Sequence, residues 1–295
     1  MAICRRMAKA SCIAALFGSI AACTTITSPD EASMFPEETV TVRGKNYAVD
    51  TSSLHFNNEV LTHVQQQQED THPVAWGRYI INRGGTSLAK LEQSGSRELT
   101  ASELNLFRTE QVPFFPIVVV DQGTLAGKRD AGEALAEESA IILFGALIGF
   151  GKTQPSTELL VFLDVEMGSP ISPDFLLGWC RGTRNASIAG VRLSPAVYAS
   201  AGDEHVREVL VEIKDQCKLG GLWLAAHRST SSAVLPGAWR NMRRKIGGAL
   251  TPIPEEIPIY MWQYCCKPGS GSRFDWNMVD PRLEELFKQQ TLRLW

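Results

Sequence analysis

Eight short β-prone segments punctuate residues 46–278: Asn46–Asp50, Ala75–Ile80, Phe115–Val120, Leu159–Glu166, Gly190–Ala199, Gly221–His227, Ile257–Tyr264 and Phe274–Met278. Between them lie stretches with apolar residues at helical spacing, near 58–68, 101–110, 128–149, 173–181, 203–217 and 236–247, and a last one covers 281–293. This sustained strand–helix alternation predicts an α/β fold, a (β/α)8 TIM-like barrel of one domain. The competing open doubly wound sheet would carry a Gly-rich turn after its first strand, whereas Asp50-Thr51-Ser52-Ser53 stands here. Local signals agree with the helices. Thr100-Ala101-Ser102-Glu103 reads as a capping box, and Asp203-Glu204 and Pro281 sit where helix starts favour them. Ser139–Phe150 is almost wholly apolar but too short to cross a bilayer, so it reads as a buried barrel helix.

The first residues read as a targeting segment. Arg5, Arg6 and Lys9 precede a short apolar stretch, Cys12–Ile20, and Ile20-Ala21-Ala22-Cys23 resembles a lipobox. The expected organisation is therefore a lipoprotein signal peptide over 1–22, then a lipidated Cys23 with a Thr-, Ser-, Pro- and Glu-rich tether over 23–43. The barrel would follow over 44–295. An ordinary signal peptide with an incidental cysteine is the alternative. The implied location is the bacterial cell envelope, with the membrane reached through the N-terminal lipid. Thr24, rather than an acid, follows the cysteine, which favours the outer membrane facing the periplasm. The chain has 29 basic and 32 acidic residues, a net charge of -3, which argues against a nucleic-acid partner. Export would leave Cys180, Cys217, Cys265 and Cys266 where disulfides persist, in any of three pairings or as buried thiols. No CxxC spacing suggests zinc.

The run Leu159-Leu160-Val161-Phe162-Leu163 ends in Asp164-Val165-Glu166. Buried strands of parallel sheets read as such runs, and active sites lie beyond their carboxyl ends. Two acids there are costly to folding unless they are paired or do chemistry. Residues two apart on a strand share a face, so Asp164 and Glu166 would enter one cleft. The other strand ends bring Asp50, Arg78 with Tyr79, Asp121, Tyr198, Trp223, His227, Gln263 with Tyr264, and Asp275 with Asn277. Acids converging with aromatic rings suit a sugar, whose apolar faces stack on rings while carboxylates and amides bind its hydroxyls. The same carboxylates could instead bind a divalent cation. No second histidine accompanies His227, so no metal and no cofactor is assigned. Arg240, Arg243, Arg244 and Lys245 read as a solvated helix face.

Several of these segments together carry a resemblance. Tyr47-Ala48-Val49-Asp50, Phe162-Leu163-Asp164-Val165-Glu166, Val197-Tyr198-Ala199-Ser200, Leu222-Trp223-Leu224-Ala225, Met261-Trp262-Gln263-Tyr264 and Asp275-Trp276-Asn277 resemble, in order, family 25 glycoside hydrolases, lysozyme-type muramidases. Trp76-Gly77-Arg78-Tyr79-Ile80, Glu98-Leu99-Thr100 with Glu103, and Gly127 with Asp130-Ala131 are more similar to the glycoside-hydrolase-like domain of unknown function 1906. The resemblance covers residues 45 to 280. It implies Glu166 as general acid, Asp164 as its ionised partner and Asp50 as a third catalytic acid. It further implies a substrate cleft lined by Asp275, Tyr198, Trp223, His227, Gln263, Asn277 and Arg78. Glu166 would need its proton affinity raised by burial and by Asp164. The expected function is hydrolysis of a cell-envelope glycan such as peptidoglycan. Ala226-His227 stands where the enzyme family carries Gln-Tyr. That departure leaves an alternative: a glycan-binding envelope lipoprotein with a degenerate hydrolase barrel.

Overall fold

The computed structural model describes residues 47–51, 56–67, 72–82, 99–148, 157–188, 191–225, 250–265 and 274–294. The targeting segment, Cys23, the tether, His227, Cys266 and the basic stretch 240–245 lie outside them. Among the described residues nine strands form one sheet: β1 (Tyr47–Asp50), β2 (Ala75–Asn82), β3 (Phe114–Val119), β4 (Thr157–Val165), β5 (Ser187–Ile188), β6 (Val191–Ser200), β7 (Gly221–Ala225), β8 (Ile259–Cys265) and β9 (Asp275–Val279). The helices are α1 (Asn58–Gln67), α2 (Ala101–Thr109), the single turn α3 (Gln122–Leu125), α4 (Arg129–Ile148), α5 (Pro173–Asn185), α6 (Glu204–Ile213) and α7 (Pro281–Leu294).

Strands β1 to β4 pair in parallel in sequence order, as do β6 to β8, and a parallel β4–β6 pairing joins the two sets. Strand β9 lies between β8 and β1 and closes an eight-stranded barrel, with the two-residue β5 appended to the outside of β6. The expected barrel is present with one correction. Strand β9 runs antiparallel to both neighbours, so the barrel is not eight repeats of one β/α unit. The reason is length: residues 266–273 are all that separate β8 from β9, and a parallel return needs a dozen or more.

Alternation along each strand sorts the side chains into two layers. Ala48, Phe115, Phe162, Ala196, Trp223 and Met261 belong to one buried cluster, drawn from inward positions around the ring. Their sequence neighbours Val49, Leu163, Val197 and Trp262 belong to the outer cluster beneath the helices. Leu283 and Phe287 of α7 join the inner cluster, and Phe287 stacks on Phe115 at 5.9 Å between centroids. Helix α7 thus plugs the base of the barrel. The opposite end, where the parallel strands finish, stays polar.

The capping box at α2 forms as expected: Glu103 N–H donates to Thr100 Oγ1 at 3.2 Å and Thr100 N–H to Glu103 Oε2 at 3.0 Å. Helices α4 and α5 meet backbone to backbone. A Cβ on Gly132 would stand 2.1 Å from the Phe175 carbonyl oxygen, and one on Gly178 1.9 Å from that of Arg129. The apolar part of α4 is packing surface for this contact and for the barrel wall. Among the described residues no helix is long and apolar enough to cross a membrane. Cys180, near the end of α5, is disulfide-bonded to Cys217, beyond α6, with their Cα atoms 5.8 Å apart. The bridge spans 37 residues, and closing a loop of that size in the unfolded chain stabilises the fold by about 4 kcal/mol in the chain-entropy picture.

Candidate active site

Position on the strands decides which side chains reach the polar mouth. Asp50 is the last residue of β1 and shares the inward face with Ala48. Gly77, its parallel neighbour on β2, has no room for a side chain: a Cβ would lie 2.6 Å from Asp50 Cβ and 2.7 Å from the Phe115 ring. Glycine there opens the space that the Asp50 side chain fills. Asp164 continues the inward row Leu160, Phe162 and sits beside Tyr198 of β6. Asp275 is the cross-strand partner of Asp50. Because β9 is antiparallel, its first residue meets the rim on which the other strands end.

Asp50 is 2 % exposed and Asp164 5 % exposed, whereas Glu166, one residue past β4, is exposed to solvent. Burial, then the charge of Asp275, pushes the Asp50 carboxyl well above its ordinary value; Asp164 adds to this and a hydrogen bond from Asn277 opposes it. Burial, then the charges of Glu166 and Asp275, does the same to Asp164. The desolvated member of the Asp164–Glu166 pair is therefore Asp164, not the Glu166 expected to be buried. The physical cause is where the strand stops. Val165 is the last strand residue, and Glu166 begins a turn closed by Ser169 N–H donating to the Glu166 carbonyl at 2.9 Å. Gly168 adopts φ 80° in that turn, and its N–H donates to Asp203 Oδ2 at 2.8 Å. Asp203 also caps α6, accepting from Val206 N–H, so the Glu166 turn is tied to a helix start.

Tyr198 and Tyr79 complete the wall, both partly exposed. Burial foremost, then the charges of Asp164 and Asp50, pushes both phenols above their usual value. They are neutral hydroxyl donors at any physiological pH. Gln263 is buried and faces inward opposite Asn277. Its Oε1 and Asp164 Oδ1 have no hydrogen-bond partner among the described residues. Beneath them, Trp223 Nε1–H donates to Asn277 Oδ1 at 2.7 Å, and Asn277 Nδ2 donates to Asp50 Oδ2 at 2.8 Å. Among the described residues no group of three or more His, Cys, Asp or Glu side chains is placed to hold a metal ion.

Two expected substrate contacts are placed elsewhere. Arg78 alternates outward with Trp76 and Ile80 and is fully buried under α2. Its Nε pairs with Glu103 Oε1 at 3.0 Å, and its Nη1 donates to the Thr51 carbonyl at 3.1 Å. It braces the segment after β1 from behind. Trp223 points inward but is 2 % exposed, with its ring against Phe115, Phe162 and Tyr198. No face of it is left for a sugar. Asp121 is spent on capping α3 through Thr124. Tyr79 is the wall residue that a strict count of inward positions along β2 would have selected in place of Arg78.

The raised proton affinity of Asp164 has a measurable sign. The folded chain holds this proton more tightly than the unfolded one, so the stability it contributes is complete below the ordinary carboxylate range, near pH 4. That stability is lost as the pH rises through the folded-state value. Asp164→Asn is therefore expected to gain in melting temperature relative to the wild type on going from pH 3 to pH 8. A difference that stays flat across that range would contradict a desolvated carboxyl at 164.

The fold and its polar rim define a class: a barrel closed by one antiparallel strand, with acids from β1, β4 and β9 at its mouth. No protein-family model matches the chain, and no curated protein matches it. Solved structures do. An uncharacterized B. stearothermophilus protein superposes with a TM-score of 0.54 at 19% identity, covering 81% of this chain and 97% of that one. The Tat-secreted protein Rv2525c of Mycobacterium tuberculosis gives a TM-score of 0.48 at 12% identity, over 80% of this chain and 97% of that one. GHIP, a glycosyl hydrolase 25 of Streptococcus pneumoniae, gives 0.44 at 15% identity, over 84% and 93%. The first of these likenesses shows the fold.

Proposed function

We propose that the barrel mouth is a glycoside-hydrolysing site for a cell-envelope glycan such as peptidoglycan. The observation that carries this reading is the meeting of Asp50, Asp164, Glu166 and Asp275, spread over 226 positions of the chain, closely enough that their charges raise the proton affinity of Asp50 and Asp164. Like charges this near cannot all ionise cheaply. Glu166, exposed at the rim beside the desolvated Asp164, is the group that meets substrate and is assigned as the acid. The Glu166 proton passes to the leaving glycosidic oxygen as its bond to the sugar carbon breaks, water adds to that carbon, and the proton the water gives up restores the acid. Asp50, which accepts a hydrogen bond from Asn277, faces that carbon. Tyr79, Tyr198 and Gln263 bind hydroxyls, with Asp275 at the rim.

The envelope assignment is supported by the lipobox-like Cys23 and by the Cys180–Cys217 bridge, which suits an oxidising compartment. Lipid on Cys23, in the outer membrane, would hold the barrel against its polymer. A second reading is favoured by the exposure of Glu166, which lacks the dry surroundings of a typical proton donor: binding without turnover. Incubating the protein with purified peptidoglycan and following both reducing ends and sedimentation separates the two. Reducing ends that accumulate with time support hydrolysis. Co-sedimentation without new ends supports binding alone, and neither result removes the glycan reading.

A further inference from the structure

We propose that Trp223 and Asn277 are positioning residues which present an amide N–H, never an amide oxygen, to Asp50. This inference rests on the reading of Asp50 as a working carboxylate of the glycan site. Its carrier is a matter of donor and acceptor types. An indole nitrogen can only donate, so the Asn277 atom 2.7 Å from Trp223 Nε1 must be the oxygen. The amide nitrogen is then forced toward Asp50 Oδ2 at 2.8 Å and the Asp275 carbonyl at 3.2 Å. Asn277 is 0% exposed and Trp223 2 % exposed, so neither group can exchange these partners for water. The ring of Trp223 is itself clamped by Phe115, Phe162 and Tyr198, which fixes the direction of its N–H.

Without the indole N–H the amide is free to turn over. Its oxygen would then face the carboxylate, which rejects it unless Asp50 takes up a proton. The other groups facing Asp50 act in the same sense: Asp275 from β9 and Asp164 from β4 disfavour its charge. Tyr79 from β2 and Tyr198 from β6 face the same acids as neutral phenols. Gly77 brings no side chain, and Glu166 bears on Asp164. The single donor from Asn277 is the group among these that favours the anion, and Trp223 decides which way it points.

The test is the titration of the Asp50 carboxyl carbon by NMR in the full chain, without substrate. Trp223→Phe should raise the midpoint by about one pH unit relative to the wild type, the worth of one hydrogen bond to a charged group. Asn277→Leu should raise it at least as far, and the double variant no further than Asn277→Leu alone. The benzothiophene analogue of tryptophan at position 223 keeps the ring and removes the N–H, and should reproduce Trp223→Phe. In the wild type, the Trp223 indole resonance should follow the same midpoint, a readout that survives if a variant fails to fold. An unchanged midpoint in both position-223 variants, additive shifts in the double variant, or an indole resonance that ignores Asp50 would overturn the proposal. A wild type that releases no reducing ends would end the hydrolase reading and leave this one standing.

Discussion

Release of reducing ends from peptidoglycan is expected to fall by about 10³-fold when Glu166 is replaced by glutamine, the usual worth of a general acid. The substitution keeps size and shape and removes only the transferable proton. Its structural cost should be small, because Glu166 is exposed and it is the backbone carbonyl, not the carboxyl, that closes the turn with Ser169. The melting temperature should stay within about 2 °C of the wild type, as for most surface changes. Full activity in a folded Glu166→Gln protein would remove this residue as the acid and shift attention to Asp164, whose burial already favours the protonated form.

The largest stability effect is expected on the far side of the barrel wall. Gly178→Ala would bring a methyl group to 1.9 Å from the Arg129 carbonyl oxygen and 2.8 Å from its carbon, both backbone atoms that cannot swing aside. Helices α4 and α5 must separate to admit it. A loss of about 3 kcal/mol is expected, the upper range for overpacking a tight contact, read as a drop of roughly 6–12 °C in melting temperature. Gly145 provides the opposite sign within the same pair of helices. It lies on the exposed side of α4 with nothing within 4 Å of a new Cβ, so Gly145→Ala should stabilise by up to about 1 kcal/mol through helix propensity. Equal losses at the two positions would show that the close approach of α4 and α5 is not what glycine serves here.

Much of this was legible in the sequence because strands and helices announce themselves by period. Apart from the two-residue β5, the described strands fall where the β-prone segments lie, and α2 begins at the capping box read from Thr100 and Glu103. The convergence of the acids was legible too, since Asp50 and Asp164 each extend an inward row of apolar residues. The reversed β9 could have been read from the short interval before Phe274. Arg78 lies away from the site although it is near a strand end, because Trp76, Arg78 and Ile80 share one face of β2 and Tyr79 the other. The exposure of Glu166 had no such signal. It depends on the strand stopping at Val165 and on Asp203, 35 positions beyond Gly168, gripping that residue. The need for glycine at 77, 132 and 178 is likewise set by neighbours distant in the chain. So is the choice of Cys217 as partner for Cys180.

Reversal of the closing strand also determines what is attached where. A chain that leaves the rim through β9 arrives at the barrel floor, and α7 turns there to stopper it with Leu283 and Phe287. Cargo joined behind that helix, whether a fluorescent reporter or an affinity handle, would be carried on the sealed underside, with the acid-lined entrance left open to a long polymer.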